Sequence, residues 1–462
     1  QTMGCEKFKL VIWYSPENKS KISTQDLAKL FHYIKTVDSL KTSGAEASSI
    51  LALPENSEVT KICDTYDKNI VPSLEERLSL VKNYLNSAFN ITTSNNLQGS
   101  GKYGSVYPAT GPENKNYVLK LETDVKSPIR DIKLANSEKW WRNADFAASR
   151  LDLRNMTKVV LVVIEVETNQ GKSYFSLPPE KAKEFGKNLD LDLIHPEAKI
   201  GVVATLMEQA PGENLEEILE AEQSLDPGGA DFRDLLNGCG CYMEDAHYFN
   251  VAHLDIKPAN VMFAKRRDGS PGTVRIVDFG FSKRGARRYL HENQKTPKLT
   301  SKGKDYLSNP CSFTRKWGTT IYMHPSSLKN KFLNNSSIEY RSEVNAYSFG
   351  LMLLESINRA DFIKVHDTSF KKLGDPRMRQ QAWSFLTCEP ETYLTRYLNA
   401  LPPDSETVKK LNNNQDIKEL LRLTFQYSGT GSEKDFIAWQ NAFHTFQSKH
   451  RYEIKTDFSK KK

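Results

Sequence analysis

The sequence predicts an α+β protein in which strands come first and helices follow. Apolar runs of strand length occur at residues 117–120, 158–167 and 200–206. Longer segments with apolar residues at helical spacing occur at residues 231–249, 342–355, 417–427 and 432–446. Strands that precede the helices, instead of alternating with them, indicate the α+β class.

The composition indicates a folded protein of one to three domains. Of the 462 residues, 38% are hydrophobic, and the longest purely aliphatic run, residues 159–164, is far too short to span a bilayer. The six cysteines have neither zinc-site spacing nor the density of a disulfide scaffold, which favours a reducing, cytoplasmic compartment. The net charge of +7 is mild for this length, and we expect no specific nucleic-acid partner.

Residues 1–90 are predicted to form a helical N-terminal extension. Apolar side chains recur at helical spacing over residues 24–40. A second helix is predicted to begin at Ser73, where Glu76 completes a capping box. The extension has no catalytic motif that we can identify. We expect it either to pack on the following domain or to serve as a docking or dimerising module.

Residues 253–280 hold side chains suited to handling a metal-bound triphosphate. Asp255 can accept a proton from an attacking hydroxyl group, and Lys257 adds a positive charge beside it. Asn260 and Asp278 offer the hard oxygen ligands that magnesium prefers. Phosphoryl transfer depends mainly on positioning and charge neutralisation, and these residue types supply both.

A glycine-rich stretch lies upstream, at residues 97–107. Gly99, Gly101 and Gly104 let backbone amides approach phosphate groups closely. Alone, this spacing would suit a dinucleotide-binding fold or a plain hairpin about equally well. Sixteen residues after Gly104, an apolar strand ends in Lys120, at a distance that suits a phosphate-binding lysine.

Taken in order, these motifs resemble those of protein kinases. The stretch from 253 is similar to the family's catalytic loop and Asp-Phe-Gly motif, and residues 207–212 are similar to the hinge between its two lobes. Residues 318–326 resemble the Gly-Thr-x-x-Tyr-Met-Ala-Pro-Glu ending of the activation segment in serine/threonine kinases. The resemblance implies a two-lobed fold. The small antiparallel β lobe with one helix is predicted at residues 91–210, and the large, mostly helical lobe at residues 211–446. A basic tail follows at residues 447–462.

The resemblance implies ATP and Mg²⁺ as cofactors, and a protein with a serine or threonine hydroxyl as substrate. The catalytic residues that it implies are Asp255, Lys257, Lys120, Glu138, Thr319 and Thr320. The nucleotide-binding residues that it implies are Leu97, Gly99, Ser100, Gly101, Lys102, Gly104, Val106, Lys120, Met207, Glu208, Ala210 and Asn214. The metal ligands that it implies are Asn260 and Asp278. In this scheme Asp255 deprotonates the hydroxyl and Lys257 steadies the γ-phosphate. Lys120, paired with Glu138 on a helix at 128–146, grips the other phosphates.

Three positions depart from the family pattern. Leu254 stands where an arginine usually receives a phosphate from the activation segment, which predicts that this chain does not depend on that switch. Ser326 stands where a glutamate usually anchors the segment, and Asn345 where an aspartate usually holds the catalytic loop. Since the residues of the reaction itself are present, we expect an active enzyme.

Two segments add to the family pattern. Residues 168–195 are predicted as an insertion with a helical stretch at 179–189. Residues 279–326 carry ten Lys and Arg against two acidic residues. This charge indicates either a mobile basic loop or a surface for acidic or phosphorylated partners.

Two other functions stay open at the level of the sequence. A pseudokinase that acts as a binding scaffold would explain the altered anchors. A small-molecule kinase of the aminoglycoside or choline type would share the two lobes and the Asp/Asn pair, but Lys257 and the 318–325 ending favour a protein kinase. The chain also resembles kinases that intracellular bacteria secrete as effectors into host cells, which would place it in a host cytosol.

Overall fold

The chain forms two compact units, one of Gln1–Asp152 with Thr157–Gln209, the other of Leu153–Met156 with Ala210–Lys462. The computed structural model describes residues 74–101, 104–122, 153–168, 171–177, 199–279, 283–284, 298–299, 321–325, 333–334, 342–371 and 389–458. The extension before residue 74 and the predicted helix at 128–146 lie outside these residues. No helix in the described ranges is long and apolar enough to cross a membrane.

An antiparallel sheet makes up most of the described part of the first unit. Its strands are β1 (Thr92–Thr93), β2 (Gly99–Gly101), β3 (Gly104–Thr110), β4 (Asn116–Glu122), β5 (Val159–Thr168), β6 (Gly171–Leu177) and β7 (Lys199–Glu208). They pair in the spatial order β1-β3-β4-β7-β5-β6, with β2 also paired to β3. The three predicted strands are therefore confirmed, although β4 runs two residues beyond Lys120.

Apolar side chains on β4 form part of the core of this unit. Leu119 and Leu121 are fully buried, because side chains two residues apart point to the same face of a sheet. Helix α1 (Leu74–Phe89), the second helix predicted for the extension, buries Val81 and Leu85. The described end of the N-terminal extension is thus a folded part of the first unit.

The segment predicted as an insertion contributes an edge strand. β6 pairs with β5 over its whole length, from Leu177 opposite Val162 to Gly171 opposite Thr168. No strand was predicted within residues 168–195, so this edge strand at 171–177 was missed. The helical stretch predicted at 179–189 lies outside the described residues.

Helices dominate the second unit. They are α2 (Leu215–Glu222), α3 (Ala230–Phe249), α4 (Glu343–Ile357), α5 (Arg359–Lys371), α6 (Tyr393–Asn399), α7 (Glu406–Asn412), α8 (Gln415–Thr430) and α9 (Glu433–Lys449). The apolar spacing predicted over 432–446 corresponds on α9 to a buried aromatic stripe, which consists of Phe436, Trp439, Phe443 and Phe446. The rings of Trp439 and Phe443 stack with centroids 5.0 Å apart, so the stripe serves core packing.

Short antiparallel ribbons position the catalytic stretch within the second unit. Their strands are β8 (Glu213–Asn214), β9 (Val251–Ala252), β10 (Val261–Ala264), β11 (Thr273–Ile276), β12 (Lys283–Arg284), β13 (Lys298–Leu299) and β14 (Leu333–Asn334). β10 pairs with both β8 and β11, β9 pairs with β12, and β13 pairs with β14. Residues 253–260 therefore run between two strands that are both fixed by pairing.

The C-terminal segment packs back on the second unit. Helix α9 ends at Lys449, beyond the predicted boundary of the large lobe. Past it, Tyr452 is buried and its hydroxyl donates to Asp234 on α3. Phe458 stacks on Tyr248 with ring centroids 4.1 Å apart. The described part of the predicted tail is therefore part of the folded unit.

Candidate active site

His253 holds the start of the catalytic loop from inside the second unit. Its side chain is fully buried, and its Nδ1 accepts the amide N–H of Asp255 at 3.1 Å. An Nδ1 that accepts leaves the hydrogen on Nε2, and Nε2 lies 2.9 Å from the carbonyl oxygen of Val277, to which it donates. The neutral imidazole thereby joins Asp255 to the residue that precedes Asp278.

Asp255 is 6% exposed and lies beside an amide and an ammonium group. Nδ2 of Asn260 lies 3.2 Å from Oδ2 of Asp255, and it also donates to the backbone carbonyl of Asp255 at 2.8 Å. Nζ of Lys257 lies 3.9 Å from Oδ1 of Asp255. The fold thus brings three predicted site residues together as a carboxylate with a cation and an amide next to it.

Asn345 on α4 clamps the catalytic loop with both ends of its side-chain amide. Its Oδ1 accepts the amide N–H of His253 at 2.9 Å, and its Nδ2 donates to the carbonyl of Val251 at 2.7 Å. Both backbone partners have fixed donor and acceptor roles, so the orientation of the amide is determined. The departure from the usual aspartate therefore does not remove the clamp.

Asn260 and Asp278 lie next to the end of the β10–β11 ribbon. The amide N–H of Val277 donates to the carbonyl of Asn260 at 3.0 Å, which continues the ribbon by one step. Asp278 follows with an exposed side chain and a backbone φ of +59°, a strained value for a residue other than glycine. Because Nδ2 of Asn260 bonds Asp255, its amide oxygen is what it can offer a cation. An amide oxygen and a carboxylate form a donor set that fits Mg²⁺.

The residues next to the two key aspartates also have defined positions. Leu254, which replaces the usual arginine, is half-buried with a φ of +67°. Phe279 is buried, and its ring centroid lies 4.7 Å from that of His253 and 6.2 Å from that of Tyr242. Packing of Phe279 therefore fixes the chain immediately after Asp278.

In the first unit, the glycine-rich stretch forms a hairpin of β2 and β3. Gly101 pairs with Gly104 at its end, and Val106 lies opposite Lys120 of β4. Thr205 of β7 lies opposite Lys120 on the other side. Residues directly opposite each other share one face of a sheet, so these three side chains lie on a common face. Lys120 is 7% exposed, a costly place for an ammonium group unless an ionic partner neutralises it.

The predicted hinge residues differ in exposure. Met207 is half-buried, Glu208 is exposed and Ala210 is buried. The side-chain oxygen of Asn214 accepts the amide N–H of Glu217 at 2.9 Å and so caps α2. A nucleotide-binding role for Asn214 stays a prediction, and capping already engages its amide oxygen.

For several predicted site residues, the described structure gives a position at most and no contact that bears on the predicted role. Leu97 is exposed just before β2, and Gly99 and Ser100 lie within that strand. Those outside the described residues are Lys102, Glu138, Thr319 and Thr320. The roles of all these residues stay predictions.

The site lies in a part of the chain that matches a known family. A family model described as the protein kinase domain matches residues 193–427, just over half of the 462 residues. The chain belongs to the protein kinase family. Its antiparallel sheet and mostly helical second unit are those of the two-lobed α+β kinase fold. The matched residues include Asp255, Asn260 and Asp278 but begin after the glycine hairpin and Lys120.

Two curated relatives are kinases by name. Serine/threonine-protein kinase pkn3 of Myxococcus xanthus is 28% identical over 210 residues, which cover 45% of this chain and 34% of that protein. Mitogen-activated protein kinase kinase 7 of Arabidopsis thaliana is 30% identical over 156 residues, which cover 34% of this chain and 40% of that protein. The matched regions thus span about a third and two fifths of these relatives.

Two histidines that shape this region had no predicted role. His253 stands two residues before Asp255, and this closeness in sequence could have indicated a role in holding the loop. His324 stands where the family ending has alanine, and its Nε2 lies 2.7 Å from the carbonyl oxygen of Ser428, 104 positions away. No local pattern could have indicated that contact.

Proposed function

We propose that this chain is a serine/threonine protein kinase that transfers the γ-phosphoryl group of ATP to hydroxyl groups of a protein substrate. The observation that carries the proposal is the arrangement around Asp255. Its carboxylate lies 3.9 Å from Nζ of Lys257 and 3.2 Å from the amide of Asn260. The name of the Myxococcus relative states the same activity, which supports this substrate class.

In the proposed reaction the hydroxyl oxygen forms a bond to the γ-phosphorus, and its proton passes to Asp255. The bond from the γ-phosphorus to the bridging oxygen breaks, and ADP leaves with that electron pair. Lys257 offsets the negative charge that develops beside Asp255. Asn260 and Asp278 would hold Mg²⁺, which when bound neutralises phosphate charge. Lys120 and the backbone of the glycine hairpin would bind the remaining phosphates.

We also propose that activity does not require a phosphate on the activation segment. Leu254 provides no charge to receive such a phosphate. The loop is instead held by two bonds from Asn345 and by the two bonds of the His253 ring. These contacts involve no phosphorylated residue.

The test is phosphate transfer by purified, unphosphorylated chain with labelled ATP and Mg²⁺, offered protein and metabolite mixtures in parallel. We expect label on serine or threonine of protein. Asp255→Ala should lower the rate by at least about a hundredfold and leave ATP binding within about twofold. Glu419→Ala, which changes an exposed carboxylate on α8, serves as the matched control.

The other outcomes each reject part of the proposal. ATP binding without transfer would indicate the scaffold function, and label on metabolites alone would indicate a small-molecule kinase. Transfer only after phosphorylation by another kinase would contradict the proposed independence from the activation segment.

A further inference from the structure

Side-chain hydrogen bonds fasten residues 321–325, the described end of the activation segment, to α4. The hydroxyl of Ser348 donates to the carbonyl of Tyr322 at 2.6 Å. The hydroxyl of Tyr322 donates to the carboxylate of Glu355, one of the last residues of the same helix. Tyr322 itself is buried. Two contacts to one helix thus hold the backbone and the ring of a single residue.

His324 fastens the same segment to a different helix, α8. Its side chain is buried, and its Nε2 lies 2.7 Å from the carbonyl oxygen of Ser428. A carbonyl oxygen can only accept, so Nε2 carries the hydrogen and donates. The imidazole also meets the ring of Tyr347 edge-on, with centroids 5.5 Å apart at 67°.

The oxygen that accepts this bond is a backbone carbonyl oxygen at the end of a helix. Ser428 lies in the last turn of α8, where carbonyls have no amide four residues further on to pair with. The amide N–H of Ser432, four residues on, lies 3.3 Å from the hydroxyl oxygen of Thr430 and donates to it. The negative end of the helix dipole also favours a hydrogen-bond donor here. His324 therefore meets a local requirement of α8 as well as holding the segment.

We propose that His324 is a positioning residue that anchors the end of the activation segment to α8. This inference rests on the proposed function where it concerns catalysis. The family ending has alanine at this position and glutamate two residues later, whereas this chain has His324 and Ser326. Thr319 and Thr320, predicted to act near Asp255, precede His324 by only a few residues, so its anchor bears on where the substrate hydroxyl binds.

The first test measures hydrogen–deuterium exchange in peptides that cover residues 321–325 of the full chain. His324→Ala should raise the exchange rate there about tenfold, as expected for one lost hydrogen bond. His324→Gln, whose amide nitrogen can replace Nε2, should stay within about threefold of wild type. His444→Ala removes a comparable bond to Glu244 on α3 and should leave these peptides unchanged.

Exchange in His324→Ala that equals wild type would overturn the proposal. So would equal exchange in the Gln and Ala variants, because the hydrogen bond would then not matter. Should His324→Ala fail to fold, His324→Leu, which has a similar size and no donor, takes its place and is judged by the same criteria.

The second test is kinetic and separates this inference from the proposed function. His324→Ala should raise KM for the protein substrate at least about fivefold, with KM for ATP within about twofold, and His324→Gln should restore the wild-type value. An unchanged KM for protein would overturn the catalytic part of the inference. If the wild-type chain transfers no phosphate, the proposed function is wrong, while the exchange experiment still decides whether His324 is an anchor.

Discussion

Two groups of buried carboxylates in the second unit are held in different ways. Glu244 and Asp245, neighbours on α3, are fully buried and lie close to cations. Nη2 of Arg154 lies 2.7 Å from Oε1 of Glu244 and 3.0 Å from Oδ1 of Asp245. Further contacts come from Gln440 and His444 to Glu244 and from Lys455 to Asp245. For Asp255, only ten residues further along, the ammonium of Lys257 is 3.9 Å away.

The two groups differ in how closely the described cations approach the carboxylates. Close ionic bonds at Glu244 and Asp245 tie together residues 153–156, α3, α9 and the C-terminal segment. Burial lowers the pKa of Arg154, but its hydrogen bonds to Asp245 and Glu244 together with nearby negative charge more than reverse this, so its net pKa lies above the ordinary value. A cation at 3.9 Å, beyond hydrogen-bonding distance, stabilises Asp255 less strongly. Glu244 and Asp245 are thus held by direct bonds from Arg154, whereas Lys257 approaches the carboxylate of Asp255 only to 3.9 Å.

The largest effect on stability is expected from Arg154→Ala. The change leaves two fully buried carboxylates without the guanidinium that contacts both of them, and we expect the free energy of unfolding to fall by about 3–5 kcal/mol. Arg422→Ala is the matched control, because Arg422 forms an exposed pair with Glu419 at 2.6 Å and should cost no more than about 1 kcal/mol. Urea unfolding of both variants measures the difference. An equal loss of stability in the two variants would show that burial does not determine how much these ion pairs contribute to stability.

A third buried carboxylate, Glu355, should make stability depend on pH. Burial raises the pKa of Glu355 to about 7 from its ordinary 4.5, although the hydrogen bond from Tyr322 and the nearby Arg359 act in the opposite direction. A pKa that is higher in the folded state gives stability that is fully present below pH 4.5 and lost as pH rises through 7. The wild-type chain should therefore lose roughly 2–3 kcal/mol relative to Glu355→Gln between pH 5 and pH 8.

Urea unfolding of both proteins at the two pH values measures this loss. The comparison cancels the titration of every group that the two proteins share, so what remains belongs to Glu355. A constant difference between wild type and Glu355→Gln would mean that the pKa of Glu355 is not raised in the folded state, and that its contacts with Tyr322 and Arg359 offset its burial.

Motifs that are contiguous in the chain could be predicted from the sequence, and contacts between distant residues could not. Apolar periodicity placed α3 at 231–249, one residue from its observed start, and the catalytic stretch has Asp255 and Asn260 within one short segment. β6 was missed because an edge strand depends on pairing with β5 rather than on a strongly apolar pattern of its own. Arg154 showed no signal, since its carboxylate partners lie about 90 residues away.

The smallest effect is expected from Asn345→Asp, which restores the residue usual in the family. We expect it to lower the free energy of unfolding by on the order of 1–2 kcal/mol. The new carboxylate could accept from His253, but it would face the carbonyl oxygen of Val251, now 2.7 Å from Nδ2. Loosening of this loop should lower kcat about tenfold with KM for ATP unchanged. Asn414→Asp is the control, because it loses a similar bond to the carbonyl of Lys410, away from the site, and should keep its kcat. Full activity in Asn345→Asp would show that the clamp needs only an acceptor, and that the donor half of the amide serves no catalytic purpose.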